Sequence, residues 1–315
     1  MQVKKICVLG GSGFVGSSVV AKLDQVGYAV SVLTRRRDSA KHLFLLPNVS
    51  VVECDVQDDQ ALTAALKGAD AVINLIGILH QSRRASFDKV HHQLPARLAK
   101  ICMALGIRRL VQMSSLQALK SAPSEYLRSK AAGEAALLAN APKLDITIFR
   151  PSIIFGRGDS FTNLFASLIK LLPLVLLAKP DARFQPVWVE DVASCLVASI
   201  QNTATYGQIY ELAGPRVYTF RQLVKQIMAV LGVQRPIVGL GTALSYAQAF
   251  MMELLPVKLM SRDNVRSMEV DSVCEGPWNA PANWRPTALE AIAPTYIALN
   301  TPKGKLDSFR YRAGR

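Results

Sequence analysis

The chain has 315 residues, half of them hydrophobic and 19% charged, with a formal net charge of +14. That length buries a large core in one or two domains, and that composition excludes a disordered chain. No apolar run reaches the ~18 residues of a membrane span.

The first strand begins at Val3, which leaves no room for a signal or transit peptide, so a cytoplasmic protein is expected. Cys7, Cys54, Cys102, Cys195 and Cys274 are scattered and mostly lie in apolar segments. They read as buried thiols, not as a disulfide framework or a metal site. The basic residues concentrate at Arg35–Arg37, Arg83–Arg84, Arg108–Arg109 and Lys303–Arg315. No nucleic-acid motif accompanies them. An anionic cofactor, an anionic membrane surface or an acidic partner each suits the charge, and nucleic acid is the weaker reading.

In chain order, the strand Val3–Leu9 runs into the glycine cluster Gly10-Gly11-Ser12-Gly13-Phe14-Val15-Gly16 and a helix over Ser17–Val26. Glycines let such a loop turn tightly and approach a pyrophosphate at the positive end of the helix. Strands follow at Val30–Leu33, Val49–Glu53, Ala71–Ile76, Leu110–Met113 and Asp145–Phe149. Helices are expected over Gln57–Leu66, Pro95–Leu105 and Glu125–Leu138. This alternation predicts an α/β fold, a Rossmann-type doubly wound parallel sheet with a smaller C-terminal substrate lobe. The second strand ends Thr34-Arg35-Arg36-Arg37, without the carboxylate that grips a ribose 2′-hydroxyl. A hydroxyl and guanidinium groups suit a 2′-phosphate, so NADP(H) is favoured, with NAD(H) and a merely solvated basic turn as alternatives.

Beyond Arg150-Pro151 the rhythm loosens, then returns with Pro186–Asp191, a helix over Val192–Ile200 and a strand at Ile209–Leu212. Thr219 is set to cap a helix over Phe220–Leu231. The expected division is a dinucleotide-binding domain over 1–155, completed by 186–214. A lobe over 156–185 and 215–300 and a basic tail over 301–315 follow. The apolar segment Leu240–Leu259 is either a helix packed in that lobe or an exposed face for a membrane surface, a quinone-like lipid or a partner subunit.

Tyr126 and Lys130, four apart on a helix, share one face, where the ammonium can lower the phenol's pKa and bind a ribose. They follow a strand ending in Ser114-Ser115. His91-His92 are poor joint ligands, since adjacent helical residues point ~100° apart. One of them is read as structural or substrate-facing, and no metal is expected.

With Gly10-x-x-Gly13-x-x-Gly16, Tyr126/Lys130, Arg150–Gly156 and Pro186–Val192 in place, the chain resembles the extended short-chain dehydrogenases/reductases, the NAD-dependent epimerase/dehydratase group. YLRSKAAGE (Tyr126–Glu134), RPSIIFGRGDSFTN (Arg150–Asn163) and WRPTALEAIAPTYI (Trp284–Ile297) are similar to an atypical branch: the nucleotide-binding accessory subunit of respiratory complex I and its bacterial relatives. The resemblance implies that Gly10, Ser12, Gly13, Phe14, Val15, Gly16, Thr34, Arg35 and Arg36 contact the cofactor. It sets Asp55 and Val56 against the adenine, Leu75, Ile76 and Gly77 along the pyrophosphate and ribose, and Pro151 and Ile153 near the nicotinamide. Met113, Ser114, Tyr126 and Lys130 complete the contact set, and Tyr126, Lys130 and Ser114 form the catalytic group.

The resemblance places the active hydroxyl at the third position after Met113, where Leu116 stands, so the serines come early. Arg157-Gly158-Asp159 lines the substrate cleft in the family's pattern, or simply starts the next helix. Two functions follow: an NADP(H)-dependent oxidoreductase or epimerase on an isoprenoid- or quinone-related substrate, or a non-catalytic NADP(H)-loaded subunit of a membrane respiratory or quinone-biosynthesis complex. Peripheral attachment at the inner face of a membrane accompanies the second.

Overall fold

The computed structural model describes residues 3–82, 85–255, 259–274, 276 and 278–298. The basic tail 301–315, Arg83–Arg84 and residues 256–258 of the apolar segment lie outside the described residues. In chain order the first elements are β1 (Lys5–Leu9), α1 (Phe14–Val26), β2 (Ala29–Thr34), β3 (Val49–Glu53), α2 (Asp59–Leu66) and β4 (Ala71–Asn74). A wide π-type turn, Asp88–Gln93, leads directly into α3 (Leu94–Leu105). Then come β5 (Arg109–Met113), α4 (Glu125–Leu138) and β6 (Asp145–Pro151). The later elements are β7 (Ile154–Phe155), α5 (Ser160–Leu171), β8 (Val175–Ala178), β9 (Arg183–Phe184), β10 (Val187–Trp188), α6 (Val189–Ser199), β11 (Ile209–Leu212) and β12 (Tyr218–Thr219). They end with α7 (Phe220–Leu231), β13 (Ile237–Leu240), α8 (Thr242–Glu253), α9 (Arg262–Ser267) and α10 (Leu289–Ile297).

The chain folds into two compact units. The first takes the described residues up to Pro151 with Glu190–Leu212 and Asn279–Ala282; the second takes Ser152–Val189, Ala213–Trp278 and 283–298. Residues 152–155, 186–189 and 213–214, expected with the first domain, thus fold with the second.

The first unit is a seven-stranded parallel sheet in the order β11-β6-β5-β4-β1-β2-β3. The chain leaves β1 for β2 and β3 on one side, then returns to β4 on the other. The carboxyl ends of β1 and β4 therefore flank the switch point where such sheets bind ligands. β4 and β5 are buried along their whole length and β1 from Ile6 on, as strands covered by helices on both faces must be. Cys7, Cys54 and Cys102 are buried free thiols in this core, and burial pushes Cys7 and Cys102 up to about 12.

Arg109, counted among the basic concentrations, is also buried. Its guanidinium donates to the Ser199, Ile200 and Asp145 carbonyls and lies 4.6 Å from the Tyr206 ring centroid. It satisfies the end of α6 and adds nothing to the surface charge.

In the second unit, Phe155, Phe184, Phe220 and Leu223 anchor a separate core. Asp159 caps α5 by accepting from the Thr162 N–H, so Arg157-Gly158-Asp159 is the entry turn of a helix. Thr219 caps α7 in a reciprocal arrangement with Gln222, as expected. The Thr162 and Tyr296 hydroxyls are 2.9 Å apart, which joins the start of α5 to α10. Two segments that carry the family resemblance, far apart in sequence, meet at that contact.

Candidate functional site

The glycine loop closes at the carboxyl end of β1. Gly10 holds a left-handed φ of 77° and its carbonyl accepts the Gly13 N–H at 3.1 Å. A Cβ at Gly16 would overlap the Gly10 carbonyl oxygen, so only glycine lets α1 start this close to the loop. The first turn of α1 has no acidic residue and no side-chain cap. The amides of Phe14, Val15 and Gly16 thus have no intrahelical acceptor and suit an anionic pyrophosphate beside Ser12 and Gly13. β4 delivers Leu75, Ile76 and Gly77 alongside: Leu75 N–H donates to Leu9 O at 3.0 Å, and a Cβ on Gly10 would touch Ile76 N at 3.1 Å.

At the end of β2, the buried Thr34 hydroxyl donates to Arg36 O at 3.1 Å and closes the turn. Arg35 and Arg36 are exposed, and their side chains have no ion pair or hydrogen bond among the described residues. Arg37 instead lies over the Phe44 ring. After β3, the exposed Asp55 carboxylate accepts the Gln57 N–H, while Val56 is buried in the core.

A buried polar chain that the sequence reading missed runs from the β4 loop to Lys130. Asn74 and Gln112 face each other in register on β4 and β5. Asn74 Oδ1 accepts the Ile76 N–H, Asn74 Nδ2 donates to Gln112 Oε1 at 2.9 Å, and Gln112 Nε2 donates to Met113 O at 2.9 Å. Met113 O also accepts from Lys130 Nζ at 3.4 Å. Polar residues in otherwise apolar strands, AVIN and RLVQM, were the available signal. Burial pulls the Lys130 ammonium down to about 8, against the opposing effect of Glu134. Glu134 is itself buried and chelates Arg150, which ties α4 to β6.

Tyr126 shares a side-chain hydrogen bond with Ser115, and Lys130 Nζ stands 6.0 Å from its ring centroid. The expectation that the ammonium lowers the phenol's pKa is not met. Burial raises it and outweighs the lowering by Ser115. Ser114, named for the catalytic role, is not the serine bonded to Tyr126: its Oγ is buried and has no hydrogen-bond partner among the described residues. The β5–β6 pairing continues past Met113, with Ser114 N–H donating to Phe149 O and Leu116 N–H to Pro151 O. Successive residues on an extended backbone face opposite ways, so only one of the two serines meets Tyr126. This pairing also brings Pro151 to the site. Ile153 belongs to the second unit.

His91 is buried between these parts. Its Nε2 accepts the Ile78 N–H at 3.0 Å and its Nδ1 lies 2.9 Å from Ser129 Oγ, which donates to Tyr126 O. The ring stacks on Phe87 and meets Tyr126 edge-on. His92 turns away to pair with Asp88.

Among the described residues Lys130 Nζ has one protein acceptor, Ser114 Oγ has none, and the α1 amides are open beside the tight glycine turn. These groups fit a bound dinucleotide: the amides its pyrophosphate, the ammonium its ribose.

Residues 6–213 match the NAD dependent epimerase/dehydratase family. The chain belongs to that family. Its curated relatives include the mitochondrial NADH dehydrogenase [ubiquinone] 1 alpha subcomplex subunit 9 of Arabidopsis thaliana. That protein is 33% identical over 284 residues, which are 84% of this chain and 70% of the relative. The Dictyostelium discoideum protein of the same name is 29% identical over 70% of this chain, but the match spans only 62% of its length. A ceramide reductase of Caulobacter vibrioides is 30% identical over 75% of this chain and 73% of its own. The fold is shared with solved structures. Pal from Bacillus thuringiensis superposes with a TM-score of 0.72 at 17% identity, covering 96% of this chain and 99% of its own.

Proposed function

We propose that this family member binds NADP(H) and acts as an oxidoreductase, reducing a carbonyl on an apolar substrate. The carrying observation is the hydrogen-bonded Tyr126–Ser115 pair one helical turn from a buried Lys130. A bound nicotinamide would supply the hydride. The Tyr126 phenol, kept protonated by burial, is suited to donate its proton to the developing alkoxide, and Ser115 Oγ to orient the carbonyl oxygen. Lys130 would hold the ribose. Arg35 and Arg36, without side-chain partners among the described residues, would receive a 2′-phosphate; NAD(H) would leave them idle. The ceramide reductase relative supports an apolar substrate, with the isoprenoid- or quinone-related class inside that description.

A second reading rests on the respiratory-subunit relatives: a permanently loaded NADP(H) stabilises a subunit of a membrane complex, and the site does not turn over. Two measurements decide. NADPH is expected to bind at least tenfold more tightly than NADH, and Arg35→Ala/Arg36→Ala to erase the difference; equal wild-type affinities overturn the NADP(H) assignment. Complementation of a deletion strain by Tyr126→Phe is expected to fail while the variant still binds NADPH. Full rescue would favour the assembly reading.

A further inference from the structure

We propose that the second unit carries a docking surface for an anionic lipid bilayer, formed by α8 and the outer face of the β8–β13 ribbon. In β8, Val175 and Leu177 point into the core, so Leu176 and Ala178 point outward. α8 covers one end of that outer face: Ser245 Oγ accepts from the Lys179 N–H and donates to the Leu240 carbonyl, and Gln248 Nε2 donates to the Leu176 carbonyl. Leu176 and its register partner Val238 stay exposed beside the helix.

The helix buries only Ser245 and Ala249. Its solvent side is a stripe of large apolar residues at helical spacing: Leu244 is 61% exposed and Met251 63%, and Leu254, just past the helix, is 66% exposed. A solvated helix normally turns its polar residues outward; this one does the reverse.

Charge selects the occupant. β8, β13 and α8 contain a single charged residue, Glu253, and it is neutralised by Arg262. The last turn of α5 exposes Lys170 and Leu171, and the turn that follows exposes Leu172 and Leu174. The sequence after Ala298 adds 17 residues that contain five basic side chains, Lys303, Lys305, Arg310, Arg312 and Arg315, and one acid, Asp307. An apolar stripe without free acids, in a chain of net charge +14, matches the headgroup–acyl boundary of a negatively charged membrane. This surface is independent of whether the cofactor site turns over.

The test is flotation of the full chain with vesicles of phosphatidylcholine alone and of phosphatidylcholine mixed with phosphatidylglycerol, at low and high salt. The wild type is expected to float with the mixed vesicles at low salt and to be released by salt. Leu244→Glu/Met251→Glu is expected to weaken partitioning by about tenfold or more while its thermal unfolding and NADPH binding stay at wild-type values. Wild-type protein that stays unbound with mixed vesicles overturns the proposal, as does unchanged partitioning of the double variant. A concentration-dependent dimer that the double variant dissociates, without vesicle binding, would make the stripe a self-interface and also overturn it.

Discussion

His91 Nε2 accepts the Ile78 N–H at 3.0 Å while Ser129, bound to its other nitrogen, donates onward to the Tyr126 carbonyl. The Ser129 proton is committed to Tyr126, so Nδ1 must carry the imidazole proton and Nε2 must be bare. One neutral ring therefore joins the loop after β4 to the helix that bears Tyr126 and Lys130.

That tautomer sets a pH dependence. Burial, with Lys130 second, lowers His91 from 6.5 to about 2. The unfolded chain binds a proton at 6.5 that the folded chain refuses, so stability is full above 6.5 and is lost as pH falls toward 2. The limiting slope is about 1.4 kcal/mol per pH unit for one proton. His91→Asn should flatten this part of the urea-denaturation profile, and His91→Ala should cost about 2–3 kcal/mol at neutral pH. An acid limb of unchanged slope in His91→Asn would refute the assignment.

Lys130 acts at the other end of the scale. Its ammonium is lowered from 10.5 to about 8, mainly by burial. Between those values the unfolded state holds the proton and the folded state does not, so stability rises with pH across the window. Lys130→Met should remove that rise and be at least as stable as wild type at neutral pH. The same variant should bind NADPH more weakly. Denaturation midpoints of both proteins from pH 8 upward check the first expectation, and fluorescence titration the second.

In the second unit, Tyr296 Oη lies 2.9 Å from Thr162 Oγ1 and 3.4 Å from Asp159 Oδ2. Tyr296→Phe should therefore cost about 1 kcal/mol. Asp159→Ala should cost more, about 1–3 kcal/mol, because Asp159 also caps α5 and holds the Gly156 amide. Equal losses would mean that the cap contributes nothing measurable.

Local chemistry alone determined much of this protein. β-branched runs with intervening 3.6-residue patterns specify the alternating strands and helices, and glycine at 10, 13 and 16 specifies a tight turn into a helix, with no room for a Cβ at Gly16. Tyr126 and Lys130 fall on one helix face by spacing, and an unusual arginine run stands where a carboxylate belongs. All of these depend on residues within a few positions of one another.

What tertiary structure decided are the relations between distant segments. Whether Ser114 or Ser115 meets Tyr126 depends on which face of the extended β5 backbone turns toward α4, and the continued pairing with β6 sets that. Asn74 and Gln112 looked like stray polar residues until the β4–β5 register joined them into a chain ending at Lys130. His91 and Gly133 belong to segments brought so close that a Cβ on Gly133 would collide with the His91 carbonyl. The exposed stripe of α8 was hidden for the opposite reason. Its sequence is apolar on nearly every side, so periodicity cannot name a buried face, and only the hydrogen bonds of Ser245 and Gln248 to the β8–β13 ribbon turn Leu244 and Met251 toward solvent.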